Sequence, residues 1–241
     1  MKRIDLNKKD IEAAFAIWDK IPPDNINNVL FDLGLSAARV SLYYILLGEK
    51  AEALVWANTS ADYYKRSIVD QKSRFGPQRV GVDGCLNLLN SAILSSNKNM
   101  IIESIELCRG IRQDFPEKYR DMAPFYYYIQ AVGDILTEND TEAKTVVEHV
   151  NKGAPRNLKK YFEGLKVCLD GILSNDKDVF LAGLDKVLED HKKVKTLGPP
   201  DEMLCVPAAV QIKLAELRGI KVTPEDVKEK YRPYIPWLLF E

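Results

Sequence analysis

Apolar residues recur at helical spacing along almost the whole chain. In "DKDVFLAGLDKVLEDHKKV", Phe180, Leu184, Val187, Leu188 and His191 fall at i, i+4, i+7, i+8 and i+11, while Asp178, Asp185, Lys186, Glu189 and Asp190 take the other side. That period describes an amphipathic helix with one buried stripe. "TEAKTVVEHV" repeats it with Ala143, Val146, Val147 and Val150. No segment alternates convincingly, and no Asn-Gly or Asp-Gly turn joins two β-rich runs, so strand content is expected to be close to nil.

Five stretches hand one helix over to another: "YYILLGEKAEALVWA", "NSAILSSNKNMIIESI", "VGDILTENDTEAKTVV", "LDGILSNDKDVFLAGL" and "IKLAELRGIKVTPEDV". Each has an apolar helix ending in Leu or Ile, a short polar turn and a second helix. The junctions begin near residues 47, 95, 136, 173 and 217, a spacing of roughly 35 to 50 residues that suits stacked helical hairpins but is too irregular for a strict tetratricopeptide array. The first helix of each pair is the more apolar: "LSAARVSLYYILL" has little charge beyond Arg39, and "YFEGLKVCLDGIL" keeps a thin stripe of Glu163, Lys166 and Asp170. Such helices must be flanked on most sides and predict an inner layer. The breaks at "IPPDN", "KSRFGPQRVGVDG", "KGAPRN" and "LGPPDE" are too short for linkers between independent domains. The expected architecture is therefore all-α: a single domain over residues 1–241, with an N-terminal capping helix (residues 7–20) within 1–23. About five antiparallel hairpins over 24–241 would then stack into an irregular, TPR-like superhelix.

The acidic turns between helices have a local explanation. Asp176 stands where an N-cap acceptor would, and Asp178 lies in the first turn, where negative charge meets the positive end of the helix dipole. Asn97, and Asp140 or Thr141, occupy equivalent places. A calcium loop fails because no glycine stands at the sixth position.

Charge and composition narrow the function classes. With 34 basic and 35 acidic side chains the net charge is -1, so no basic excess drives the chain onto nucleic acid. The 46% hydrophobic and 29% charged residues are those of an ordinary soluble protein. No apolar run approaches a membrane span and no signal-peptide core follows "MKRIDLNKKDIEAAF", so a cytoplasmic protein without membrane contact is expected. Cys85, Cys108, Cys168 and Cys205 form no C-x-x-C pair and sit among apolar residues, as small buried hydrophobes of a reducing compartment do.

Chemistry is thinly represented. The two histidines, His149 and His191, have no metal-ligand spacing, and no G-x-S-x-G occurs. His191 continues an apolar stripe and is read as a satisfied, partly buried imidazole; His149 is placed on the exposed side of its helix. In "RFGPQRVGVDG", Gly76, Gly81 and Gly84 with Arg74 and Arg79 evoke a phosphate cradle, but G-K-[ST] is missing and a helix, not a strand, precedes it. A bend is the simplest reading and a partner-contacting loop the next. In "FYYYIQ", Phe125, Tyr128 and Val132 share one stripe, leaving Tyr127 with Ala131 and Asp134; "ADYYKR" similarly offers Tyr63 beside a core Tyr64. Asp134, Glu138, Asp140, Glu142 and Glu148 cluster near the third hairpin, followed by Lys152, Arg156, Lys159, Lys160 and Lys166, so the two signs are expected to segregate on the surface. Interfaces favour tyrosine and arginine. The candidate partner-binding residues are thus Tyr63, Arg74, Arg79, Tyr127, Asp134 and Glu138. No catalytic, metal or cofactor-binding residue is expected.

The C-terminal half also carries a resemblance. "YFEGLKVCLDGILSNDKDVFLAGLDKVLEDHKK", then "GPPDEMLCVPAAVQIKLAELRGIKV", then "YRPYIPWLLF" set out a helix with an acidic turn into an F-x-x-x-L-x-x-x-L helix, a proline-led apolar helix, and a tail with Tyr234, Pro236 and Leu238. This order resembles immunity protein family 49, the all-helical immunity proteins encoded beside bacterial polymorphic toxins. The resemblance implies a non-enzymatic cytoplasmic protein that binds and neutralises a cognate toxin protein, without cofactor. A general helical-repeat scaffold for peptides or complexes is the alternative.

Overall fold

The structure is a computed structural model that describes residues 2–75, 81–193 and 200–240. Among the described residues every regular element is helical. The chain divides into two compact units, Met1–Arg112 and Gln113–Glu241.

In the first unit, α1 (Lys2–Ala16) is followed by two 3₁₀ turns, Trp18–Lys20 and Pro23–Asn25. The expected helix over 7–20 thus begins five residues earlier and stops at Ala16, and its last turn is replaced by the 3₁₀ turn that precedes Pro22 and Pro23. Then come α2 (Ile26–Leu46), α3 (Lys50–Phe75), α4 (Val82–Ser95) and α5 (Lys98–Cys108). α2 and α3 form the most extensive hairpin of this unit, with α1 laid on α2 and α4 on α3. Close approach of α2 to α3 requires Gly34, where a Cβ would fall 2.8 Å from the Tyr64 ring. Serines bridge the helices: Ser60 Oγ donates to the Gly34 carbonyl at 2.8 Å and lies 3.0 Å from Ser91 Oγ, and Ser41 Oγ donates to the Ala53 carbonyl at 2.7 Å. By length and apolarity the stretch Pro23–Leu46 could cross a membrane, although no apolar run of that length was expected from the sequence. It buries Leu30, Leu33, Ala37, Val40 and Ile45 in this unit's core.

The second unit holds the one-turn α6 (Phe115–Lys118), α7 (Ala123–Leu136), α8 (Asp140–Val147), α9 (Lys159–Ser174), α10 (Lys177–His191) and α11 (Val206–Leu217). α9 and α10 pack most intimately because three glycines remove side chains from their seam. A Cβ on Gly171 would run into the backbone of Phe180, and one on Gly183 into the backbone of Cys168. The expected stripe Phe180, Leu184, Val187 and Leu188 is buried throughout. α11 is flanked on most sides, burying Ala208 to Ile212 together with Leu214 and Ala215.

Four of the five expected handovers join two α-helices: α2 to α3, α4 to α5, α7 to α8 and α9 to α10. The fifth does not. After α11 the chain makes three 3₁₀ stretches, Pro224–Asp226, Glu229–Tyr234 and Trp237–Phe240, because Pro224, Pro233 and Pro236 deny an α-helix its hydrogen bonds. All five first helices nevertheless end alike, on a residue in the left-handed region: Gly48, Ser96, Glu138, Asn175 or Gly219. At four of them the next N–H reaches back five residues, from Glu49 to Tyr44, Asn139 to Asp134, Asp176 to Gly171 and Ile220 to Ala215, at 2.8 to 2.9 Å. This is the Schellman closure of a helix C-terminus.

The N-caps are met in part. Asp176 Oδ1 accepts from the N–H groups of Asp178 and Val179 at 3.0 Å, and Asn97 Oδ1 accepts from Met100 N at 3.2 Å. Neither Asp140 nor Thr141 caps α8: Asn139 holds that position without a side-chain capping bond. Asp140 Oδ2 instead accepts from Arg218 at 2.9 Å, while the same guanidinium donates to the Ile135 carbonyl at 2.8 Å. A cation reaching back 78 residues has displaced the local role.

Candidate functional site

In the first unit an open groove of about 440 Å³ runs beside α3. Its apolar surface comes from Trp18, Ile26, Leu30 and Val69. Trp18 is half-buried against the cluster of Ile11, Leu30, Leu33, Ala37 and Tyr63, and Phe15 stacks on it at 5.7 Å. The proline break between α1 and α2 turns the chain back and sets Trp18 beside Ile26. Val69 stands off the buried stripe of α3 and is 49% exposed, as is much of Phe15. The polar rim is Lys65, Arg66, Asp70 and Ser73. Lys65 is held by Glu103 at 3.0 Å, and Arg74 Nε donates to Asp70 Oδ1 at 2.7 Å. The second oxygen, Asp70 Oδ2, is buried and has no hydrogen-bond partner. A carboxylate oxygen left so is short of one donor.

In the second unit a cavity of about 320 Å³ lies among the start of α9, the end of α10 and the residues leading into α11. Its walls are predominantly apolar, with Phe125, Leu158, Val187 and Leu204. His191 closes one side, its ring steeply inclined to that of Tyr234 with the centroids 5.4 Å apart. Burial holds its imidazole below the ordinary 6.5, outweighing a hydrogen bond to the backbone of Glu202 and the charges of Asp201 and Asp190. Nε2 is buried without a partner. The expectation of a satisfied imidazole is corrected: partly buried, yes, but one nitrogen short. Burial also pushes the Cys205 thiol up to about 12 and raises the Tyr161 hydroxyl well above its usual range, so both groups are neutral near pH 7.

Of the six candidate partner-binding residues, Tyr63 and Arg74 belong to the first unit and Tyr127, Asp134 and Glu138 to the second. Tyr63 is buried in the first unit's core rather than presented beside Tyr64, and its ring tilts against Phe15 at 6.2 Å. Arg74 turns back along its own helix to Asp70. Arg79 lies outside the described residues. In the second unit Tyr127 is half-buried and lies against His149, ring centroids 5.1 Å apart. His149 is thus partly covered rather than fully exposed. Asp134 lends its backbone carbonyl to the closure of α7, and Glu138 is the exposed left-handed residue of that turn. The nearby charges interleave rather than segregate: Lys166 Nζ meets Glu148 at 3.3 Å and Asp170 at 2.8 Å.

Sequence reasoning passed over Trp18, Val69 and Asp70. The available signal was Val69, an apolar residue off the stripe set by Tyr64 and Ile68. All four cysteines are free and buried. Among the described residues no group of three or more His, Cys, Asp or Glu side chains could hold a metal ion. No protein-family model, curated protein or solved structure matches the chain.

Proposed function

We propose that this chain is a non-enzymatic, cytoplasmic binding protein that neutralises a cognate toxin domain, and that it takes the toxin through the groove beside α3. The observation that carries the groove is its apolar surface, the exposed Val69 beside Trp18, rimmed by Lys65, Arg66 and Asp70. A tryptophan and an apolar anchor ringed by charge are the make-up of an interface hot spot. Stacked helical hairpins support such a role because a rigid surface loses little conformational freedom on binding. The toxin-neutralising reading draws on the resemblance of the C-terminal helices and tail to immunity protein family 49.

The test is co-expression with the adjacent reading frame. The neighbour alone is expected to arrest growth, the pair to grow and copurify, and Val69→Asp to abolish the rescue. A neighbour that is harmless alone would contradict the toxin reading and favour a general helical scaffold. Rescue undiminished by Val69→Asp would contradict the groove.

A further inference from the structure

We propose that the second unit's cavity binds a small organic cation, an apolar body carrying one protonated amine, with the ammonium received by the Asp190 carboxylate. A volume of about 320 Å³ lies at the small end of what ligand sites span, and such sites join apolar walls to a few placed polar groups. Phe125, Leu158, Val187 and Leu204 supply those walls from four separate stretches of chain.

The sign of the ligand's charge follows from the rest of the lining. Two aspartates, Asp190 and Asp201, stand on it, and among the described residues no lysine or arginine joins them. Asp190 is within reach of a ligand, because its side chain keeps 21% of its surface exposed. Its Oδ1 accepts from Lys193 at 3.4 Å, while Oδ2 has no hydrogen-bond partner among the described residues. The pair with Lys193 joins neighbours three residues apart and its lysine is 56% exposed; such pairs contribute little and compete weakly with a ligand. Asp201 is engaged already and adds charge rather than a free oxygen. Behind burial, which dominates each of them, the charge of Asp190 also acts on the Tyr161 hydroxyl, the Cys205 thiol and the His191 imidazole, three groups that line the same space. A carboxylate with a spare oxygen beside apolar walls pairs best with an N⁺–H donor, since such a bond is roughly twice as strong as a neutral one.

2-Phenylethylamine, protonated at pH 7 as a lysine is, and 2-phenylethanol, its neutral near-isostere, test this on the full chain. Calorimetric titration at low ionic strength, where an accessible ion pair is least screened, is expected to show the amine binding about tenfold more tightly than the alcohol. That advantage corresponds to roughly 1.4 kcal/mol. Asp190→Asn keeps the shape of the side chain and should bring the two affinities level. Independently of that variant's folding, the methyl resonances of Leu158, Val187 and Leu204 in the unmodified chain should move on adding the amine. Binding of neither probe, equal binding of both by the unmodified chain, an amine preference that survives Asp190→Asn, or unmoved methyl resonances would each overturn the proposal.

Discussion

Single residues carry the departures from what periodicity alone implies. His191 falls on the apolar stripe of α10, as its spacing says, yet its surroundings are set by Glu202, Asp201 and Tyr234 from a later part of the chain. Its folded pKa is depressed, so it binds fewer protons folded than unfolded between the two values. The stability this confers is complete above the unfolded 6.5 and declines as pH falls through the lower folded value. An NMR titration should place the His191 midpoint below 6.5; a midpoint at or above that value would show that Asp190 and Asp201 outweigh burial. Glu138 is the second case. Nothing about a glutamate signals a left-handed turn, and the backbone adopts φ 59° there because the Schellman closure of α7 demands it. A side chain in that region costs about 1 kcal/mol. Glu138→Gly should accordingly raise stability by about 0.5–1 kcal/mol in urea unfolding, and a loss of stability would contradict the strain.

At the level of elements, most of the architecture was legible. The 3.6-residue period of Phe180, Leu184 and Val187 located α10 and its buried side, and Asp176 marked its start. Gly48, Asn175 and Gly219 stand at three helix ends in the left-handed conformation that glycine and asparagine favour. The C-terminal stretch was misjudged because prolines override apolar spacing. Pairings across about eighty residues were equally out of reach, since no local pattern announces that Arg218 meets Asp140 or that Gln211 donates to the Tyr128 hydroxyl at 2.8 Å. The seam of α9 and α10 belongs to this scale. A methyl at Gly183 meets the Cys168 backbone and the Gly164 carbonyl, which cannot swing aside as a flexible side chain would. Gly183→Ala should cost about 1–3 kcal/mol by denaturant unfolding. Serine at the same position should do no better, whereas a neutral outcome for alanine would mean the two helices are less closely seated than their glycines imply.

For the whole molecule, the chain is two compact helical units, each with its own apolar core and its own concave feature. The two features differ in kind. The groove of the first unit is open and rimmed by charge, whereas the cavity of the second is smaller and predominantly apolar. Neither could be read from the sequence, because each is a space left between elements rather than a pattern along one. The candidate residues chosen from sequence were conspicuous tyrosines, arginines and acids, and in the structure most of these are occupied in packing or local pairing. What distinguishes the groove is exposed apolar surface, Val69 beside Trp18, with Asp70 on its charged rim. The most direct measurement is therefore a calorimetric titration of the purified chain with the protein encoded by the adjacent reading frame, repeated with Asp70→Ala and Val69→Asp. Binding by the unmodified chain, weakened at least tenfold by each substitution while both variants unfold at the unmodified midpoint, is the predicted result. Unchanged affinity in both variants, or no binding at all, would contradict it.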